Sequence, residues 1–438
     1  MLEEDEEGEG PPEEGGGALT PPLLLAVVAA ALSSVQVGFN VGVLNVPYRA
    51  LSNTSLWQRG PSPPVAVPLL PLGAVPAALA AAPAAERLGR KGALLASNGL
   101  AVIGGALMGG AELGPTYALV VIGRLVTGLH SGLASGLVPL YVEEVAPPPL
   151  QGALSAAHEA GFALGLLTSQ VLALPPLLGS VRSLPALLAL GMLPAALQLL
   201  LLPMGPGGAH GACAGPAPRL GLPQLWGRGQ LRQPMAIVVG AALGKELAGI
   251  GALYYYSTAI FERAGLPQPT WATVATGVIN MAATLAAGAL WRRAGRRALL
   301  MGGLLGMALS SVVMTMGMSM KAPWPLPPTL AMGGGLLLVS SFAMGPGLIP
   351  RLLPMELIPI PARAAAAGVT AAMAWAGNGA VAAAVPHMEL SLGPFLFLPF
   401  GVLAAVSALG VFLFLPETRG APLGPPKPST ELQLLGGS

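Results

Sequence analysis

Between Leu19 and Leu415 this 438-residue chain returns twelve times to an apolar stretch of about twenty residues. The stretches lie near 19–45, 65–85, 92–112, 115–141, 153–178 and 184–203, then near 235–261, 270–290, 298–318, 328–353, 364–386 and 392–415. A helix needs about twenty such residues to cross a hydrocarbon core of about 30 Å. No water reaches the backbone there, so segments of this length satisfy their polar groups internally, as helices. The charge content agrees. Only 9% of residues are Asp, Glu, Lys or Arg, against about a quarter in soluble domains, too few to cover a soluble enzyme. A nucleic-acid binder is excluded as well, because 21 basic and 19 acidic residues leave a net charge of only +2. The expectation is an all-α membrane protein of twelve transmembrane helices. Its most interrupted span is the second, which contains Pro68, Pro71, Pro76 and Pro83. Proline removes a helical hydrogen bond and kinks the chain, a defect membrane helices tolerate better than soluble ones.

The remaining segments divide the chain. Residues 1–18 hold eight of the 19 acidic residues and read as a solvated, disordered tail. Residues 19–203 form a first six-helix bundle and 235–415 a second. The Gly/Pro/Ala-rich segment 204–234 reads as a flexible cytoplasmic linker, and 416–438 as a cytoplasmic tail. With the N-terminus inside, thirteen basic residues fall in inside loops and tail and five in outside loops, which supports both termini being cytoplasmic. The same topology puts the sequon Asn53-Thr54-Ser55 in the first outside loop, where glycosylation is expected. Cys213 is the single cysteine, so no disulfide forms within the chain. His130, His158, His210 and His387 show no metal-ligand spacing. Neither a metal, a cofactor nor a catalytic constellation is expected.

The two halves repeat one another. "ERLGRKG" (86–92) follows the second span and "RRAGRRA" (292–298) the eighth. "PLYVEEVAPPPLQGA" (139–153) follows the fourth and "PMELIPIPARAAA" (354–366) the tenth. A tandem six-helix repeat marks many secondary transporters, whose substrate sits where the halves meet. Gly105, Gly109, Gly128, Gly132 and Gly136 recur at small-residue spacing, which suits close helix packing.

"GRLVTGLHSGLASGLVPLYVEEVAPPPLQGALSAAHEAG" (123–161), "GIGALYYYSTAIFERAG" (249–265), "GPGLIP" (345–350) and "PETRG" (416–420) resemble the facilitative sugar transporters of the major facilitator superfamily. The resemblance runs from about residue 23 to 432, and the tail "KPSTEL" (427–432) is similar to that of the insulin-responsive glucose transporter of that family. It implies passive hexose uniport, of glucose above all, by alternating access across the plasma membrane, with cycling through intracellular vesicles as a further implication. Leu434-Leu435 reads either as a sorting dileucine or as plain tail. The resemblance also implies a cytoplasmic latch of Arg90, Glu144, Arg296, Arg297, Glu356 and Arg363, with Gln151 standing where the family has arginine. The run Tyr254-Tyr255-Tyr256 matches an extracellular gate, Tyr255 and Tyr256 above all, and reads otherwise as an interfacial aromatic belt. Asn40 stands where proton-coupled relatives carry aspartate, and an amide takes up no proton near neutral pH.

At the substrate site the resemblance implies roles for His158, Gln170, Asn280, Phe342, Trp375 and Asn378, which match. Glu159 replaces a glutamine, Lys245-Glu246 replace a glutamine pair, and Gly251 replaces an asparagine. Ala343 replaces a glutamate, Arg351 a tryptophan and Ala374 an asparagine. Read from the residues alone, Glu159, Lys245, Glu246 and Arg351 are ionisable groups in mid-span. Such groups usually face a wet cavity and pair. The expected pairs are Glu159–Lys245 and Glu246–Arg351, and the alternative is separate solvation in a wide vestibule. These replacements leave two other functions open: the same fold carrying an organic anion, or a sensor or decayed homologue that transports nothing.

Overall fold

The computed structural model describes residues 20–46, 65–111, 116–205, 222–290, 294–321, 323 and 325–417. Asn53, the acidic tail, most of the 204–234 linker and the tail beyond Glu417 lie outside these residues, as does the side chain of Gln151. The described residues are overwhelmingly helical.

The first half consists of α1 (Pro21–Gly42), α2 (Leu69–Gly109), α3 (Thr116–Val145), α4 (Pro148–Leu172), α5 (Leu184–Leu190) and α6 (Leu193–Leu201). Helix α2 contains both the second and the third expected span. They are divided at Gly89, whose φ of 71° and ψ of 159° are non-helical. The proline-rich second span is helical from Leu69 onward, with Pro76 and Pro83 inside it. The sixth span is broken into α5 and α6.

A short helix, α7 (Leu222–Gly227), precedes the second half, and α8 (Gly229–Lys245) begins earlier than the expected seventh span. A π-helical turn, Glu246–Ile250, joins α8 to α9 (Gly251–Arg263). There follow α10 (Pro269–Leu290), α11 (Arg296–Ser319), α12 (Leu326–Met344), α13 (Ile349–Leu357), α14 (Ile360–Leu392) and α15 (Leu398–Phe414). The tenth span is thus two helices, α12 and α13. They part at Gly345-Pro346-Gly347, where a Cβ on Gly345 would stand 2.2 Å from the Leu299 carbonyl oxygen.

Small residues set the packing inside each half. A Cβ on Gly132 would stand 2.1 Å from the Ala74 carbonyl oxygen, and one on Gly165 1.8 Å from that of Val35. Helices α2 and α3, and α1 and α4, therefore touch backbone to backbone, which small residues permit in a membrane where no hydrophobic force drives helices together. Large apolar side chains such as Leu200, Val402, Leu409 and Phe412 point outward, as a lipid solvent allows. Polar groups turn inward. Arg124 is fully buried, donating from Nη1 to the Asn40 carbonyl (2.6 Å) and from Nε toward that of Ala66 (3.4 Å). The halves meet along α2–α14 and α4–α10, with lesser contacts of α3 with α14 and α1 with α9.

Candidate functional site

A cavity of about 70 Å³ lies between the halves, with α1, α3 and α4 on one side and α8, the π turn, α9, α12, α13 and α14 on the other. Of the expected substrate-site residues, Glu159, Lys245, Glu246, Phe342, Arg351, Trp375 and Asn378 line it. The other four stand behind its wall. His158 is buried with Nδ1 2.7 Å from Ser34 Oγ. Gln170 is buried where α4 meets α10, its amide oxygen against Gly277. Asn280 accepts from the Tyr254 hydroxyl at 3.3 Å. Gly251 faces Val381 and the Asn378 amide.

The four mid-span charges are paired, but not as expected. Arg351 Nε lies 3.0 Å from Glu159 Oε1, and Lys245 Nζ lies 3.4 Å from Glu246 Oε1. The partners are exchanged relative to Glu159–Lys245 and Glu246–Arg351. Lys245 and Glu246 keep ordinary helical backbone angles, and the chain leaves them only at Gly249 (φ 92°). As sequence neighbours with long side chains, Lys245 and Glu246 reach each other without crossing the cavity, and Arg351 on α13 meets Glu159 on α4.

The two pairs differ in their surroundings. Glu246 Oε2 accepts from Asn378 Nδ2 (2.9 Å), and Asn378 Oδ1 accepts from the Tyr255 hydroxyl (2.7 Å). Lys245, only 2% exposed, sits 5.7 Å from the Phe342 ring centroid, a cation–π distance. This network lies wholly in the second half. The Arg351–Glu159 contact joins the two halves, and its N–H does not point at the oxygen. Glu159 Oε1 and Arg351 Nη1 are buried atoms without a hydrogen-bond partner.

The cavity is closed at the end farthest from the tails. Asn45, just past α1, donates from Nδ2 to the carbonyls of Leu253 (3.0 Å) and Tyr254 (2.9 Å) and to Ser257 Oγ (2.9 Å), while its Oδ1 accepts from Thr258 N (3.1 Å). Tyr254 roofs the cavity, its ring 5.8 Å from Phe162 and 6.0 Å from Phe342. Tyr255 and Tyr256 instead turn toward α14, the Tyr256 hydroxyl donating to the Ala382 carbonyl (2.9 Å). Toward the tail face the walls are Pro139, Pro350, Pro354 and Met355. There Trp375 Nε1 crosses between the halves to Ser135 Oγ (3.1 Å). Asn45 and Ser135 were not singled out by sequence, whereas Tyr254 belongs to the aromatic run read as a gate. A lone amide in an apolar run was the available signal for Asn45, and Ser135 carries none.

At the tail face the expected latch residues pair inside their own halves. Arg90 Nε is 3.4 Å from Glu144 Oε2, and Arg296 is paired with Glu356. Arg297 donates to the Phe412 carbonyl and stacks on its ring at 5.3 Å. Arg363 Nε donates to the Ile358 carbonyl (3.0 Å). Glu417, from "PETRG", accepts from Arg296 N at the start of α11 (3.0 Å), a carboxylate at a helix N-terminus where the dipole favours it. Among the described residues no group of three or more His, Cys, Asp and Glu is placed to hold a metal.

The family model described as "Sugar (and other) transporter" matches residues 25–207 and 218–424. The facilitated glucose transporter member 4 of solute carrier family 2 from Mus musculus is 35% identical, covering 92% of this chain and 93% of its own. Member 2 from Gallus gallus is 36% identical over 76% of this chain and 69% of its own. Among solved structures, the inward open conformation of the xylose transporter XylE from E. coli superposes with a TM-score of 0.75 at 23% identity, over 94% of this chain and 99% of that one.

Proposed function

The chain belongs to the sugar transporter family, and on that premise we propose that it carries a hexose, glucose above all, passively across a membrane by alternating access. The observation that carries this reading is the cavity itself. It sits between two six-helix halves, takes residues from both, is roofed by Tyr254 and is walled by α13 and α14 toward the tails. Two bundles rocking about such a site expose it to each side in turn. Asn40 supports uniport: its amide carries no titratable proton, and it is already engaged with the Gln36 carbonyl (2.9 Å).

The tail face is the cytoplasmic one in this reading, following the excess of basic residues there, and the membrane is the plasma membrane, with Asn53 glycosylated outside. The Arg90–Glu144 and Arg296–Glu356 pairs hold each half's cytoplasmic end in shape. Arg90–Glu144 is partly open to solvent, where a pair is worth about 0–1 kcal/mol and suits a surface that parts and closes, and Arg296–Glu356 is the more buried of the two. An organic anion is not favoured, because each cavity cation already has a carboxylate beside it.

The test is reconstitution in liposomes with labelled glucose. Uptake that saturates and survives collapse of the proton gradient is expected. Uptake that needs the gradient overturns uniport, and uptake of small organic anions without hexose overturns the substrate.

A further inference from the structure

We infer that Glu159 and Arg351 form one hydroxyl-reading element, which takes a vicinal diol of the sugar by accepting from its O–H groups at the carboxylate and donating to its oxygens from the guanidinium. The inference rests on the hexose-carrier reading and names the part of the site that chooses among hexoses.

The two ion pairs in the cavity are not equivalent. In Lys245–Glu246, Asn378 occupies the second carboxylate oxygen, and the ammonium lies 3.4 Å from the first and 5.7 Å from the Phe342 ring centroid. Glu159–Arg351 has the charges 3.0 Å apart but no aligned hydrogen bond, so Glu159 Oε1 keeps a free acceptor and Arg351 Nη1 a free donor. Both residues line the cavity. A buried donor or acceptor without a partner is a standing cost, relieved by whatever fills it.

The ligand that fills both at once must donate and accept through neighbouring atoms. A diol does so without carrying charge. A carboxylate only accepts and would have to evict Glu159. An ammonium only donates and would have to evict Arg351. Hydrogen bonds to ionised partners are about twice as strong as neutral ones, so this pair replaces amide recognition of hydroxyls with a stronger form of it. Glu159 comes from α4 and Arg351 from α13, so a ligand seated here also touches both halves.

Equilibrium binding of glucose and its monodeoxy series to the purified full-length chain tests this. Loss of either of two adjacent hydroxyls is expected to weaken binding about tenfold or more, the scale of one hydrogen bond to a charged group, with the other positions within about threefold by the same measure. In E159Q/R351Q the parent sugar binds more weakly and the whole series falls within about threefold. The charge-exchanged E159R/R351E restores the melting temperature but not the original deoxy pattern, which a merely structural tie would restore. If E159Q/R351Q fails to fold, E159D/R351K serves, with the tenfold gap narrowed. A deoxy pattern unchanged in the variants overturns the inference, as does a small carboxylate that competes with glucose on the native protein. Native protein that binds glucose with the expected pattern but moves none into liposomes overturns the carrier reading alone.

Discussion

A lysine ammonium in the middle of a membrane-spanning segment is tolerated only if something replaces its water. Lys245 has Glu246 at 3.4 Å and the face of Phe342. Removing one member of such a buried pair strands the other, at about 3–5 kcal/mol, whereas replacing both by groups of similar shape is often near neutral. Lys245→Gln is therefore expected to lower the melting temperature in detergent markedly, and Lys245→Gln with Glu246→Gln to recover most of it. Equal losses from the single and the double change would show that the pair is not coupled. The four charges were legible in the sequence as anomalies, because ionisable residues stand out in apolar spans. Their pairing was not, because it turns on which side chains the packed helices bring within reach of one another, and that is not a local property of those residues.

At the scale of elements, the breaks carry the information. Gly249 sits at φ 92° inside the π turn, and a Cβ there would stand 2.7 Å from the Phe400 ring. A side chain in that backbone region costs about 1–3 kcal/mol before any clash. Gly249→Ala is expected to destabilise the fold by at least that amount and to weaken glucose binding by displacing Glu246 from Asn378. A melting curve and a binding isotherm measured together check both effects, and an unchanged isotherm would detach the turn from the site. Gly132→Ala is expected to cost stability too, since a Cβ would press on the Ala74 carbonyl of α2, though overpacking of about 1–3 kcal/mol would leave the binding isotherm in place. The twelve crossings were readable from apolar length alone, but the Gly-Pro-Gly that divides α12 from α13 falls inside one expected span, although Gly and Pro are breakers. The π turn was not readable, and the Phe400 ring that packs against it comes from α15, far along the chain.

At the scale of the whole molecule, the described state is a choice between two arrangements of the same halves. Asn45 ties the end of α1 to α9 through four hydrogen bonds, and Tyr254 meets Phe162 across the gap, so the face away from the tails is shut. The sequence offers little on which face is shut, because a rocking carrier must encode both closures, and each appears only when the halves are brought together. Asn45→Ala removes the side-chain half of the clasp, hydrogen bonds worth about 0.5–1.5 kcal/mol each, while the α9 groups keep their helical partners and Ser257 its bond to Thr273. Every 1.4 kcal/mol shifts a two-state balance about tenfold, so the population moves toward the state open on that face. Cys213 is the single cysteine, so C213A gives a background in which one introduced thiol reports alone. Met355→Cys, on the tail-side wall of the cavity, is expected to react with a membrane-impermeant maleimide applied to the tail face, and glucose is expected to slow that reaction. Adding Asn45→Ala is expected to slow it as well, and to let a thiol at Ser257, buried in the clasp, react from the opposite face. A Met355→Cys thiol that labels equally with and without the clasp would mean that Asn45 does not govern which way the cavity opens.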